Sequence, residues 1–134
     1  MTQNKRTVLV IDDDTDFLIQ VRMQLEAAGF NVREANGETE AEKALADFRP
    51  DLVIVDLMME HFDGGFTLCH HIKKKDPTIP VIMATAVASA TGIQFEDRAD
   101  EKRKWIKADA LLSKPLRFEQ IMREINRLLP PAVK

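Results

Sequence analysis

Short apolar runs alternate along this chain with longer stretches in which apolar residues return every three or four positions. Runs of the first kind read as buried strands, and stretches of the second as amphipathic helices. Val8, Leu9, Val10 and Ile11 form the first run. Phe17, Val21, Leu25 and Ala28 follow at helical spacing, with Asp14 as the N-cap and Gly29 as the stop. Residues 31–35 read as a second, more exposed strand, and Asn36-Gly37 breaks it. Ala41, Ala44, Leu45 and Phe48 mark the apolar face of the next helix, which closes before Pro50. Residues 52–55 (Leu-Val-Ile-Val) are the central strand. After Gly64-Gly65, Phe66, Cys69 and Ile72 point inward on a helix whose Lys73-Lys74-Lys75 end reads as solvated. Residues 81–84 and 110–112 are two further strands, separated by a long segment. Phe118, Ile121, Met122, Ile125, Leu128 and Leu129 form the stripe of the last helix, and Pro130-Pro131 ends it.

Strand and helix thus alternate five times, which predicts an α/β fold: a parallel sheet with helices on both faces. Right-handed crossovers put all the strand C-termini on one edge, where such sheets bind ligands. The 134 residues suit one domain, placed at 5–129 with a short tail at 130–134. The net charge of −3 gives no general attraction to nucleic acid or to an anionic membrane. Cys69 is the only cysteine, so no intrachain disulfide or thiolate metal cluster is available, and it reads as a packing residue. No apolar run approaches the roughly 18 residues of a membrane span, and no signal peptide is evident, so a cytoplasmic location is expected.

The chemistry gathers at the predicted strand ends. Asp12 and Asp13 follow the first strand, Asp56 the third, Thr85 the fourth, and Lys114 the fifth. Carboxylates held close together repel one another, and a divalent cation removes the conflict. Oxygen ligation favours Mg²⁺. With Lys114 and Thr85 opposite them, the group suits a phosphoryl ligand, and Asp56 becomes a candidate nucleophile. A dehalogenase-type phosphatase also uses a strand-end aspartate, in a D-x-D-x-[TV] pattern. Asp12-x-Asp14 begins that pattern, but Asp16 stands where Thr or Val is wanted, and a cap domain has no room.

These residues resemble those of a response-regulator receiver domain of two-component signalling. The likeness rests on Val10-Ile11-Asp12-Asp13-Asp14, on the run from Asp51 through Asp56 to Met59, on Ile79-Pro80 through Thr85-Ala86, and on Leu112-Ser113-Lys114-Pro115. It implies a flavodoxin-like doubly wound five-stranded parallel sheet of order 2-1-3-4-5 with five helices. It also implies that Asp56 is the phosphoacceptor, supplied by a sensor histidine kinase or a phosphotransfer protein. Asp13 and Asp56 would hold Mg²⁺ with the Met58 carbonyl, and Asp12 would act largely through water. Thr85, Ala86 and Lys114 would bind the phosphoryl group, and the Lys114-Pro115 peptide would be cis. The expected output is a phosphorylation-dependent change of protein partner, without direct DNA binding or membrane attachment. The alternative is a pseudo-receiver that binds partners without phosphate.

Several positions depart from the family pattern. Leu111 stands where Tyr or Phe is usual, so a threonine–aromatic switch is not expected in its ordinary form. Thr85 and Lys114 are farther apart than usual, and the added residues are highly charged. These read either as a solvated helix face or as a reshaped partner surface. Glu60 replaces a proline beside the acceptor. Met58 and Val87 lack side-chain groups that orient an attacking water, so a phosphoryl lifetime that is not unusually short is expected. His70 and His71, as sequence neighbours, diverge on their helix, and with His61 read as structural. The altered fourth segment also predicts a monomer before phosphorylation. Nothing after Leu129 reads as an output domain, so a stand-alone receiver is expected.

Overall fold

A computed structural model describes residues 6–56, 64–85, 108–114 and 116–129. The described elements are β1 (Thr7–Ile11), α1 (Thr15–Ala27), β2 (Asn31–Ala35), α2 (Glu38–Asp47), β3 (Leu52–Asp56), α3 (Gly64–Lys75), β4 (Val81–Thr85), β5 (Ala110–Ser113) and α4 (Phe118–Leu128). All the strand pairings are parallel, and the order is β2-β1-β3-β4-β5, as the receiver likeness implied. The helix expected between β4 and β5 lies outside the described residues, so α4 here is the one expected as the fifth.

Alternation along the inner strands divides the core in two. Leu9, Ile11, Val53, Val55, Val81 and Met83 face one side and pack against α2 and α3. Val8, Val10, Leu52, Ile54, Ile82 and Ala84 face the other and pack against α1 and α4. Burial on both faces is why these strands are continuous apolar runs. β2 lies at the sheet edge, and of its residues only Ala35 is buried.

Asp14 caps α1 as its sequence suggested, and its Oδ1 accepts from the Asp16 and Phe17 amides. Gly29, with φ of 101°, turns the chain out of that helix in the left-handed region. The buried stripe of α1 is Leu18, Val21 and Leu25. Phe17 is half-buried and Ala28 exposed, so the expected face is rotated toward Leu18. Leu68 similarly joins Cys69 and Ile72 in the core contact of α3.

The solvated reading of the lysine run fails at Lys73. Its Nζ lies 2.6 Å from Asp109 Oδ2 and donates to the Ile79 carbonyl at 2.8 Å. Asp109 in turn accepts from the Val81 amide, and its own amide donates to the Val81 carbonyl. One ion pair therefore ties the end of α3 to the starts of β4 and β5. His71 faces Glu42 at 3.3 Å on the surface, and His70 is exposed. His61 and the charged stretch 89–107 lie outside the described residues.

Candidate functional site

The sheet delivers the polar residues to a single edge. Ile11 pairs with Val55 and Asp56 with Ala84, so Asp12 leaves β1 at the level where β3 ends on Asp56. Thr85 closes β4 opposite Ser113, and Lys114 follows at once. Asp12 and Asp56 are the only buried polar or charged residues among those described, whereas Asp13 is exposed. Asp12, Asp13 and Asp56 each present an oxygen within 4.8 Å of the others.

Lys114 crosses the mouth of this cluster. Its Nζ is 2.7 Å from Asp12 Oδ2 and 3.3 Å from Asp56 Oδ1. Asp12 Oδ1 accepts from the Asp14 amide at 2.9 Å, so both oxygens of the deepest carboxylate are engaged. The same ammonium stands 4.4 Å from the centre of the Phe17 ring. Lys114 also lines a cleft of about 340 Å³, together with Asp14, Asp16, Phe17, Gln20, Val21 and Leu116.

Burial dominates the electrostatics. It pushes the Asp56 carboxyl up to about 6, helped by the charge of Asp12 and opposed by Lys114. Asp12 is also raised, by burial first, against the hydrogen bond from Lys114. Burial alone would lower the Lys114 ammonium. Its hydrogen bond to Asp12 and the charges of Asp12 and Asp56 outweigh that, and it is held above its ordinary value. Burial thus raises two of three carboxyls whose oxygens lie within 4.8 Å of one another, and the chemistry of this all-oxygen cluster of Asp12, Asp13 and Asp56 fits a divalent cation.

The sequence therefore named the residues that meet here: Asp12, Asp13, Asp56 and Lys114, with the Thr85 backbone at the same edge. Met58, Ala86 and Pro115 lie outside the described residues, and with them the carbonyl ligand, the phosphoryl-binding amide and the cis peptide. The same holds for Glu60 and Val87. Leu111 packs, partly buried, against the core cluster that contains Met83. Asp14 is the cap of α1, not a member of a D-x-D pair facing the cluster. Sequence reasoning missed Phe17, which it took only as part of a helix face. The available signal was an aromatic residue one turn past the acidic pair, on the helix leading out of the site.

The response regulator receiver domain model matches residues 8–126. The chain belongs to this family. As a receiver of two-component systems it is similar to the DNA-binding dual master transcriptional regulator RpaA of Synechocystis. The two are 32% identical over 124 residues, covering 91% of this chain and 48% of that protein. The receiver thus spans about half the length of the curated relatives it matches. Among solved structures it is similar to a response regulator receiver domain from Clostridium thermocellum. Identity there is 28% and the TM-score 0.77, over 92% of this chain and 94% of that one. It is also similar to the response regulator TrrA of Thermotoga maritima, solved in complex with Mg(2+)-BeF. That match has 25% identity and a TM-score of 0.75, over 92% of this chain and 99% of that one. Among the described residues, no helix is long and apolar enough to cross a membrane.

Proposed function

We propose that this receiver accepts a phosphoryl group on Asp56 in a Mg²⁺-dependent reaction and changes its protein partners in response. The observation that carries the reading is the buried carboxylate of Asp56, with Asp12, Asp13 and Lys114 converging on it. An Asp56 oxygen attacks phosphorus, a P–O bond forms, and the P–N bond of a donor phosphohistidine breaks. The bonding pair leaves with the imidazole nitrogen. Lys114 compensates charge on the phosphoryl oxygens and leaves Asp12 in part to do so. Asp13 and Asp56 would hold Mg²⁺ with the Met58 carbonyl, and Asp12, one oxygen of which accepts from the Asp14 amide, would act through water. The metal, when bound, neutralises charge on the transferring group. Thr85 and Ala86 contribute to phosphoryl binding from the end of β4. The TrrA complex with Mg(2+)-BeF supports the same ligand chemistry for this fold.

The donor is a sensor histidine kinase or a phosphotransfer protein, and the output is a protein partner rather than nucleic acid or membrane. The chain catalyses only its own phosphorylation and dephosphorylation, in the cytoplasm. Residues 5–129 form the receiver unit, monomeric before phosphorylation. A dimer that persists on dilution in sedimentation runs would overturn the last point.

The deciding experiment is intact mass after incubation with acetyl phosphate, with and without Mg²⁺, for the wild type and Asp56→Asn. A phosphoryl adduct that needs both the metal and Asp56 is expected. A folded wild type that takes no adduct from acetyl phosphate or from a histidine kinase would favour a module working without phosphate.

A further inference from the structure

Lys114 has two acidic surroundings to choose between. Inward lie Asp12 and Asp56, at 2.7 and 3.3 Å. Outward lies the cleft that Lys114 itself lines, whose wall also includes Asp14 and Asp16. A lysine side chain has rotatable freedom enough to visit both, and the outer carboxylates cost less desolvation. What stands at the boundary is the ring of Phe17, 4.4 Å from the ammonium and itself a wall of that cleft. An ammonium over an aromatic face is attracted by the ring quadrupole, more strongly where water is thin. The ring packs against the core cluster of Leu18 and Val21, and the backbone amide of Phe17 donates to Asp14 Oδ1 at the helix cap.

We propose that Phe17 is a positioning residue for Lys114, holding the ammonium over Asp12 and Asp56 rather than turned toward Asp14 and Asp16. For its kinetic consequence the inference rests on the reading of Asp56 as phosphoacceptor. A lysine whose ammonium turns part of the time toward Asp14 and Asp16 leaves the acceptor without its cation. Phosphorylation then slows even though every residue that touches the phosphoryl group is intact.

The test compares Phe17→Leu and Phe17→Tyr with the wild type. Leucine keeps an apolar contact and removes the ring, whereas tyrosine keeps both. Phe17→Met serves in place of the leucine variant if that chain does not fold. Two readouts are taken. The first is the rate of adduct formation with acetyl phosphate and Mg²⁺ by intact mass. The second is the position of the Lys114 ε-methylene signal in ¹³C-lysine spectra, assigned by its loss in Lys114→Arg. The expected result is a rate about three- to tenfold lower for leucine and within about twofold of wild type for tyrosine. The ε-methylene protons, shielded by the ring in the wild type and in Phe17→Tyr, move downfield in Phe17→Leu. A leucine variant with the wild-type rate, equal losses for leucine and tyrosine, or an ε-methylene signal that does not move overturns the proposal. A wild type that takes up no phosphoryl group overturns the reading of Asp56 instead, and the spectra then decide the ring contact alone.

Discussion

Asp56 is held between burial, which favours its neutral form, and Lys114, which favours its anion. Its carboxyl titrates at about 6 in the folded chain against an ordinary value of 3.8. Between those values the folded state binds more protons than the unfolded one, so stability falls as pH rises through that window. Above about 6 the penalty is complete. Asp56→Asn removes it, so the metal-free variant is expected to be more stable by roughly 1–3 kcal/mol near neutral pH. Little gain should remain at about pH 4. Urea denaturation at both pH values checks this, and equal gains at the two would sever the link to ionisation. The opposite outcome is expected at Lys114. Lys114→Ala leaves the fully buried Asp12 beside Asp56 with no cation, at a cost of about 2–4 kcal/mol without metal. Added Mg²⁺ should narrow the gap to wild type in the same denaturation series. A gap that does not narrow would mean the metal and the ammonium do not share the same carboxylates.

At the scale of elements, the positions of the site residues were legible because a buried parallel strand is a visible apolar run, and the polar residue after it marks the strand's end. Asp12, Asp56 and Lys114 needed no contact information to be placed at one edge. Less was legible on the helices. A 3.6-residue period admits adjacent positions to one stripe, and only packing chose Leu18 over Phe17 for the core of α1. Phe17 was thereby turned toward Lys114, a residue that local periodicity does not see. Lys73 was misread for a similar reason. A run of three lysines looks solvated by composition, and its partner Asp109 lies 36 positions further on. That pair makes a prediction of its own. Asp109→Ala removes the acceptor for the Lys73 ammonium and for the Val81 amide. A loss of about 2 kcal/mol is expected, with earlier amide exchange at the start of β4. Unchanged exchange at Val81 would show that Asp109 does not pin that strand.

For the molecule as a whole, stability and ligand occupancy are linked through the carboxylates. A metal that binds only the folded chain stabilises it, by about 2.7 kcal/mol at a hundredfold excess over its Kd. The ligands must be deprotonated to bind. Because Asp56 holds its proton up to about 6, the rise in Tm with Mg²⁺ is expected to be full at neutral pH and to vanish on acidification through that value. Asp56→Asn should show a smaller rise at every pH. Thermal melts across a pH series with Mg²⁺ and with EDTA test both statements, and a metal response that persists at about pH 4 would place the ion elsewhere.

The ion pair that closes the site joins Asp12 to Lys114 across 102 positions of chain. On a ribosome this means that β1 can find β2 and then β3 while the last strand has still to be made. Throughout that interval Asp12 and Asp56 would face each other without their cation, so the half-built sheet is least content at the edge where it will later bind its ligand. Docking of β5 supplies the missing charge in the same step that finishes the sheet, which makes the pocket one of the last features the nascent chain acquires.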